Sequence, residues 1–130
     1  MAFDFTTDSG ERVAIPYSAD ELFTLHRRWN LSCPILDRIW DQYYGKTFTI
    51  ASGDIAAFKN QIEELETEYL AEVVPKLKRE RKVFSYTPAI EQGIIDKLLM
   101  DDPLATAMRE IRELCALAIS NNEQIRCSGD

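Results

Sequence analysis

The sequence predicts a mainly α fold, a single-domain bundle of about five helices over residues 1–130 with a small N-terminal β-hairpin. Three observations predict it. The chain has 130 residues, the length of one domain. The segment from Ile55 to Val73 repeats apolar residues at helical spacing. Thr87-Pro88 and Asp102-Pro103 are each a helix N-cap followed by proline at the first helical position.

The hairpin is predicted over residues 1–17. Phe3, Phe5, Val13 and Ile15 alternate with other residues, as strands with one buried face do. Residues 7–10 lie between the two apolar pairs and are rich in turn formers. An isolated hairpin is only marginally stable, so this one must pack against the helices.

Two helices follow the hairpin. Ser18 and Glu21 match a capping box, which predicts a helix from there to about residue 31. A second helix is predicted to begin near Pro34 and to end at Gly45. Residues 46–51 fit either a third strand beside the hairpin or a crossover to the next helix, and we favour the crossover.

The longest periodic segment predicts a helix that begins after Gly53. Its apolar stripe consists of Ile55, Phe58, Ile62, Leu65, Tyr69 and Val73. Leu70 and Val74 form a second apolar edge, which indicates contact with two neighbours or with another chain. Because proline in a helix interior costs about 3 kcal/mol, the helix is predicted to end before Val74 or to kink at Pro75, with 76–82 a separate turn.

The two proline-started segments predict the last helices, from Pro88 to Met100 and from Pro103 to Ser120. Residues 121–130 are mostly polar, and we expect a frayed tail there.

The charge balance narrows the classes of partner. Twenty-two acidic against fifteen basic residues give a net charge of −7, which opposes phosphate backbones and anionic membranes. No apolar run approaches the roughly 18 residues of a membrane span, and the first residues lack the apolar segment of a signal peptide. We therefore expect a cytoplasmic protein with no membrane partner.

Candidate catalytic and metal-binding residues are few. His26 with Cys33 or Cys115 would make a nucleophile pair, but His26 is predicted on the polar side of its helix and Cys115 lies in an apolar stretch. One histidine and three scattered cysteines lack the ligand spacing of a zinc site. No glycine-rich phosphate loop occurs. We expect no enzyme, no metal and no cofactor.

One segment is strongly basic. It contains Lys76, Lys78, Arg79, Arg81 and Lys82. At about 100° per residue these side chains point in several directions, which disfavours a nucleic-acid interface. The segment still defines an alternative hypothesis, a homodimeric adaptor or regulatory protein that offers these bases to an acidic partner or to nucleic acid.

The main hypothesis is a non-catalytic inhibitor of the bacterial immunity or antitoxin kind, which occludes the site of a basic partner enzyme. None of its traits is specific to a protein family. In this interpretation Tyr44 is an aromatic anchor, because tyrosine is enriched at interface hot spots. Electrostatic steering is assigned to four acidic residues of the long helix, Glu63, Glu64, Glu68 and Glu72.

Overall fold

The computed structural model describes residues 2–41, 47–83 and 86–129. Within these ranges it has four α-helices, three short 3-10 helices and four strands, so the mainly α prediction is confirmed. In chain order the elements are β1 (Ala2–Thr7), β2 (Arg12–Pro16), 3-10 helices Tyr17–Phe23 and Leu25–Trp29, α1 (Pro34–Asp41), β3 (Thr47–Ile50), a 3-10 turn Ser52–Asp54, α2 (Ile55–Glu80), α3 (Pro88–Met100), α4 (Pro103–Ser120) and β4 (Ile125–Gly129).

The sheet is larger than the predicted hairpin. β1 and β2 pair antiparallel as predicted, with Phe5 opposite Val13. β4 then pairs antiparallel with the other side of β1, and β3 pairs with β4, which gives the strand order β2-β1-β4-β3. Residues 47–50 are therefore a strand, and the favoured crossover was wrong.

The predicted frayed tail at 121–130 was also wrong, because residues 125–129 form a central strand of the sheet. Ile125 and Cys127 are buried while Arg126 between them is exposed, the alternation of a strand with one covered face. Just before β4, Glu123 Oε2 accepts hydrogen bonds from the Ser9 backbone N–H and hydroxyl, both at 3.0 Å. These contacts hold the chain end against the β1–β2 turn.

The segment after β2 forms two 3-10 helices instead of the predicted α-helix. Ser18 lies inside the first of them, and Pro16 occupies the N-cap position without a side-chain hydrogen bond, so the capping box does not form. Ala19, Leu22 and Leu25 are buried at spacings of three residues, which matches the three-residue turn of a 3-10 helix. The segment ends at Asn30 in the left-handed region, with φ 53°, close to the predicted end.

α2 is a single helix that continues through Pro75, so it does not end before Val74 and 76–82 is not a separate turn. Pro75 is exposed, as is Ala71 one turn earlier, whose carbonyl loses its helical N–H partner at Pro75. The predicted apolar stripe is confirmed from Ile55 to Tyr69, where each of its residues is buried, whereas Val73 at its end is half-buried. On the second apolar edge, Val74 lines a cleft against α3.

α3 and α4 have the predicted bounds. The Thr87 hydroxyl accepts from the Ile90 N–H at 3.4 Å, and Asp102 Oδ1 accepts from the N–H groups of Leu104 and Ala105 at 2.9 and 3.1 Å. Both proline-preceding residues are thus genuine N-caps.

One apolar core joins the sheet to α2 and α4. Phe3 and Phe5 of β1 meet edge to face at 5.2 Å between ring centroids, and Phe5 stacks on Phe58 of α2 at 6.2 Å. From α4, Met108 and Ile111 are fully buried in the same cluster. The sheet and the two long helices therefore share one core, with α1 and the 3-10 helices closing its edge.

Candidate functional site

The four acidic residues assigned to partner binding all lie on α2, but they divide into two pairs. Glu63 is engaged in an ion pair with Lys59, and Glu72 accepts from Arg28 Nη1 at 2.8 Å. Glu64 and Glu68 are exposed and make no ion pair with any residue of the described ranges. Only the second pair is free of ion pairs within the described ranges.

Arg28 holds Glu72 in an ion pair within the fold. Its guanidinium donates to Glu21 Oε1 at 2.9 Å as well as to Glu72, and it lies 5.4 Å from the centroid of the Trp29 ring. The hydrogen bond to Glu72 raises the pKa of Arg28 above its usual value. This bridge ties the second 3-10 helix to α2, so Glu72 has a structural role that the sequence pattern did not reveal.

Glu64 and Glu68 lie one turn apart on the outer face of α2. Carboxylates at i and i+4 repel each other by about 0.2–0.5 kcal/mol, and neither of these two has an ion-pair partner within the described ranges. A cation placed between them by another molecule would relieve the repulsion. The charge of this pair is therefore uncompensated within the described ranges.

The predicted aromatic anchor, Tyr44, lies outside the described residues. Of the neighbouring aromatic residues, Trp40 is half-buried and stacks on Phe23 with 6.0 Å between ring centroids. Trp29 is also half-buried and packs against the core. Both tryptophans therefore contribute to packing.

The alternative basic patch lies in the last turn of α2 and just beyond it. Lys78 is held in an ion pair by Glu91 of α3, and Lys76 Nζ lies 4.0 Å from Glu80 Oε1. The other three bases are exposed and form no ion pair within the described ranges: Arg79, Arg81 and Lys82. One unpaired base, Arg79, thus lies in the last turn of α2, and Arg81 and Lys82 lie just beyond its end.

His26 is buried, with 3% of its surface exposed, so the prediction that it lies on a polar face was wrong. Its Nε2–H donates to Asp37 Oδ1 at 2.9 Å beside an open cleft of about 460 Å³. Nδ1 is buried and has no hydrogen-bond partner among the described residues. One ring nitrogen is engaged and the other is closed to solvent, which is unsuited to proton exchange with a substrate.

The cysteines are core residues. Burial raises the pKa of the Cys33 thiol to about 11 and that of the Cys115 thiol to about 12. Burial also raises the pKa of Cys127. A thiol nucleophile needs a lowered pKa, so the raised pKa values make these thiols less reactive. Nor do three or more His, Cys, Asp or Glu side chains of the described part converge as metal ligands would.

The sequence did not reveal how thinly α3 is covered. Within its described bounds Ile95 alone is buried, whereas Ile90 and Met100 are 53% and 64% exposed. Tyr17, just after β2, is 66% exposed. A helix as apolar as α3 looks like a core helix in sequence, and only the packing shows that most of it faces outward.

Comparison with known proteins finds no match: no family model, no curated protein and no solved structure is significantly similar to this chain. In the described ranges, no helix combines the length and the apolar character that crossing a membrane requires. Any statement of function therefore depends on the surfaces described above.

Proposed function

We propose that this chain is a non-catalytic, acidic protein-binding module that neutralises a basic partner enzyme by covering its site, as immunity proteins and antitoxins do. The observation that carries the proposal is the free pair Glu64 and Glu68, two exposed carboxylates one helical turn apart with no ion pair in the described chain. The protein acts in the cytoplasm, where its three thiols stay reduced.

The overall charge supports the same partner. A net charge of −7 accelerates the encounter with a basic protein and slows encounters with acidic ones. Glu64 and Glu68 then orient the bound partner against α2, because their local field adds to the long-range attraction. Glu63 and Glu72 contribute to the net charge but are held by Lys59 and Arg28, so they contribute less to orientation.

The state of the nucleophile candidates supports a binding role over catalysis. Burial keeps the Cys33 and Cys115 thiols protonated at neutral pH, since it raises the pKa of each. The Nε2–H of His26 is already engaged in a hydrogen bond to Asp37.

The test is the association rate of the partner with charge-reversed variants. Glu64→Lys with Glu68→Lys should lower the association rate constant at least about tenfold at low ionic strength, and the loss should shrink as salt screens it. The matched control, Glu11→Lys with Asp54→Lys, changes the net charge equally at exposed carboxylates that make no ion pair within the described ranges. Equal effects of the two double variants would show that only net charge matters and would contradict the proposed interface.

A second candidate function is favoured by the three unpaired bases Arg79, Arg81 and Lys82. In this alternative the chain is a homodimeric adaptor that offers the end of α2 to an acidic protein or to nucleic acid. Labelled DNA and RNA mixed with the protein at about 50 mM salt, where phosphate contacts are strong, provide the test. A salt-sensitive shift that is lost in Arg79→Ala with Lys82→Ala supports the alternative, and no shift removes its nucleic-acid form.

A further inference from the structure

A groove of about 280 Å³ lies where the end of α3 meets the start of α4 and the end of β2. Pro16, Pro103 and Ala107 form its apolar lining, and Met100 forms one wall. Two carboxylates, Asp101 and Glu110, also line it. We call this feature the Met100 groove.

One large apolar side chain stands open at the groove, since Met100 is 64% exposed. Methionine adapts its flexible thioether chain to varied partners. Such an exposed side chain beside a groove of an acidic protein indicates a surface that another molecule covers.

The charge of the groove is of one sign. Asp101 and Glu110 make no ion pair within the described ranges, and none of the described residues that line the groove is basic. Asp102, the next residue, is already occupied by Tyr69 and by the α4 N-cap bonds, so it does not compete for a cation. The groove thus offers apolar contact and uncompensated negative charge together.

We infer that the Met100 groove receives an arginine or lysine side chain from an apolar and basic segment of the partner, an inference that rests on the proposed function. The aliphatic stem of such a side chain packs on Met100 and Pro103, and its charged end reaches Asp101 or Glu110. A second copy of this chain is a poorer occupant, because it would bring the same unpaired carboxylates against these.

The test is an NMR titration of protein labelled with ¹³C at the methionine methyl groups. The probe is a short amphipathic peptide of arginine and leucine, and its control is the same peptide with glutamate in place of arginine. We expect the Met100 methyl signal to shift saturably with the basic peptide only. Met108, fully buried, is the internal control and should not shift. Asp101→Asn with Glu110→Gln should weaken binding about fivefold or more.

Glu11→Gln with Asp54→Asn is the matched control, since it removes the same charge from exposed carboxylates outside the groove and outside α2, and it should leave the peptide affinity almost unchanged. No shift of Met100 at millimolar basic peptide overturns the inference, and so does an equal loss of affinity in both double variants. A concentration-dependent Met100 shift without peptide would place a second copy in the groove and overturn it too. If a basic partner binds tightly and Asp101→Asn with Glu110→Gln leaves its affinity intact, the groove fails while the proposed function stands.

Discussion

Removing the hydroxyl of Tyr69 should change how much Asp102 contributes to stability. Tyr69 is 7% exposed, and its hydroxyl donates to Asp102 Oδ2 at 2.7 Å. The other carboxylate oxygen caps α4 by accepting from Leu104 and Ala105. One aspartate thus joins the middle of α2 to the first turn of α4, beside the Met100 groove.

The magnitudes follow from these contacts. Tyr69→Phe loses one hydrogen bond to a charged acceptor, and because Asp102 is only half-buried and regains water, the expected cost is about 1.5 kcal/mol. Asp102→Ala loses the cap, about 1 kcal/mol, and leaves a buried hydroxyl unpaired, about 2 kcal/mol. In the Tyr69→Phe background there is no hydroxyl to leave without a partner, so Asp102→Ala should cost only the lost cap, about 1 kcal/mol. The double variant should therefore lose about 2 kcal/mol less than the sum of the single variants.

The assay is urea unfolding of the wild type and the three variants, followed by tryptophan fluorescence and circular dichroism. Coincident transitions from the two probes are required before free energies are compared. Single-variant costs that add to within about 0.5 kcal/mol would show that Tyr69 and Asp102 contribute independently, which would contradict the coupling expected from their hydrogen bond.

Three further predictions concern stability. Burial raises the pKa of Cys33 to about 11 and of Cys115 to about 12, so above about pH 8.5 the unfolded thiols release protons that the native thiols keep. The free energy of unfolding should therefore fall by about 1.4 kcal/mol per pH unit for each of these thiols. Urea midpoints from pH 7 to about 10 check this, and a flat profile would contradict it. Pro75→Ala restores a backbone N–H in α2 and should raise stability by up to about 3 kcal/mol, whereas a lower urea midpoint would show that the proline is locally favourable. Ending the chain after Gln124 removes β4 and should abolish cooperative thermal unfolding, while an unchanged transition would mean that the tail is dispensable.

Local sequence signals predicted the elements that local contacts stabilise. Pro88 and Pro103 follow N-caps whose hydrogen bonds lie within three residues, so α3 and α4 were predicted with the correct bounds. The stripe from Ile55 to Tyr69 likewise identified the buried face of α2.

The missed elements depend on contacts between distant parts of the chain. β3 and the hairpin do not touch in the sheet except through β4, which comes from the other end of the sequence. Without β4 as a central strand, residues 46–51 read as a crossover and residues 121–130 as a tail. The alternation of Ile125 and Cys127 was the available signal, but it spans too few residues to outweigh polar neighbours.

The candidate site shows the same division. The acidic face of α2 was visible in sequence, because side-chain directions follow from helix geometry. The sequence did not show which of these carboxylates are free of ion pairs, since Arg28 reaches Glu72 from a different element. The Met100 groove combines residues of β2, α3 and α4, and no local sequence pattern predicts it.

The proposed function is that this chain binds a basic protein and blocks its activity. Its most direct test is affinity capture of the tagged protein from a lysate of the organism that makes it, at low and moderate salt, followed by an assay of the captured partner's activity with and without the chain. We expect one stoichiometric basic partner whose activity is lost at equimolar chain, with capture weakened by Glu64→Lys and Glu68→Lys. A chain recovered alone, or a partner that stays fully active when saturated, would contradict it.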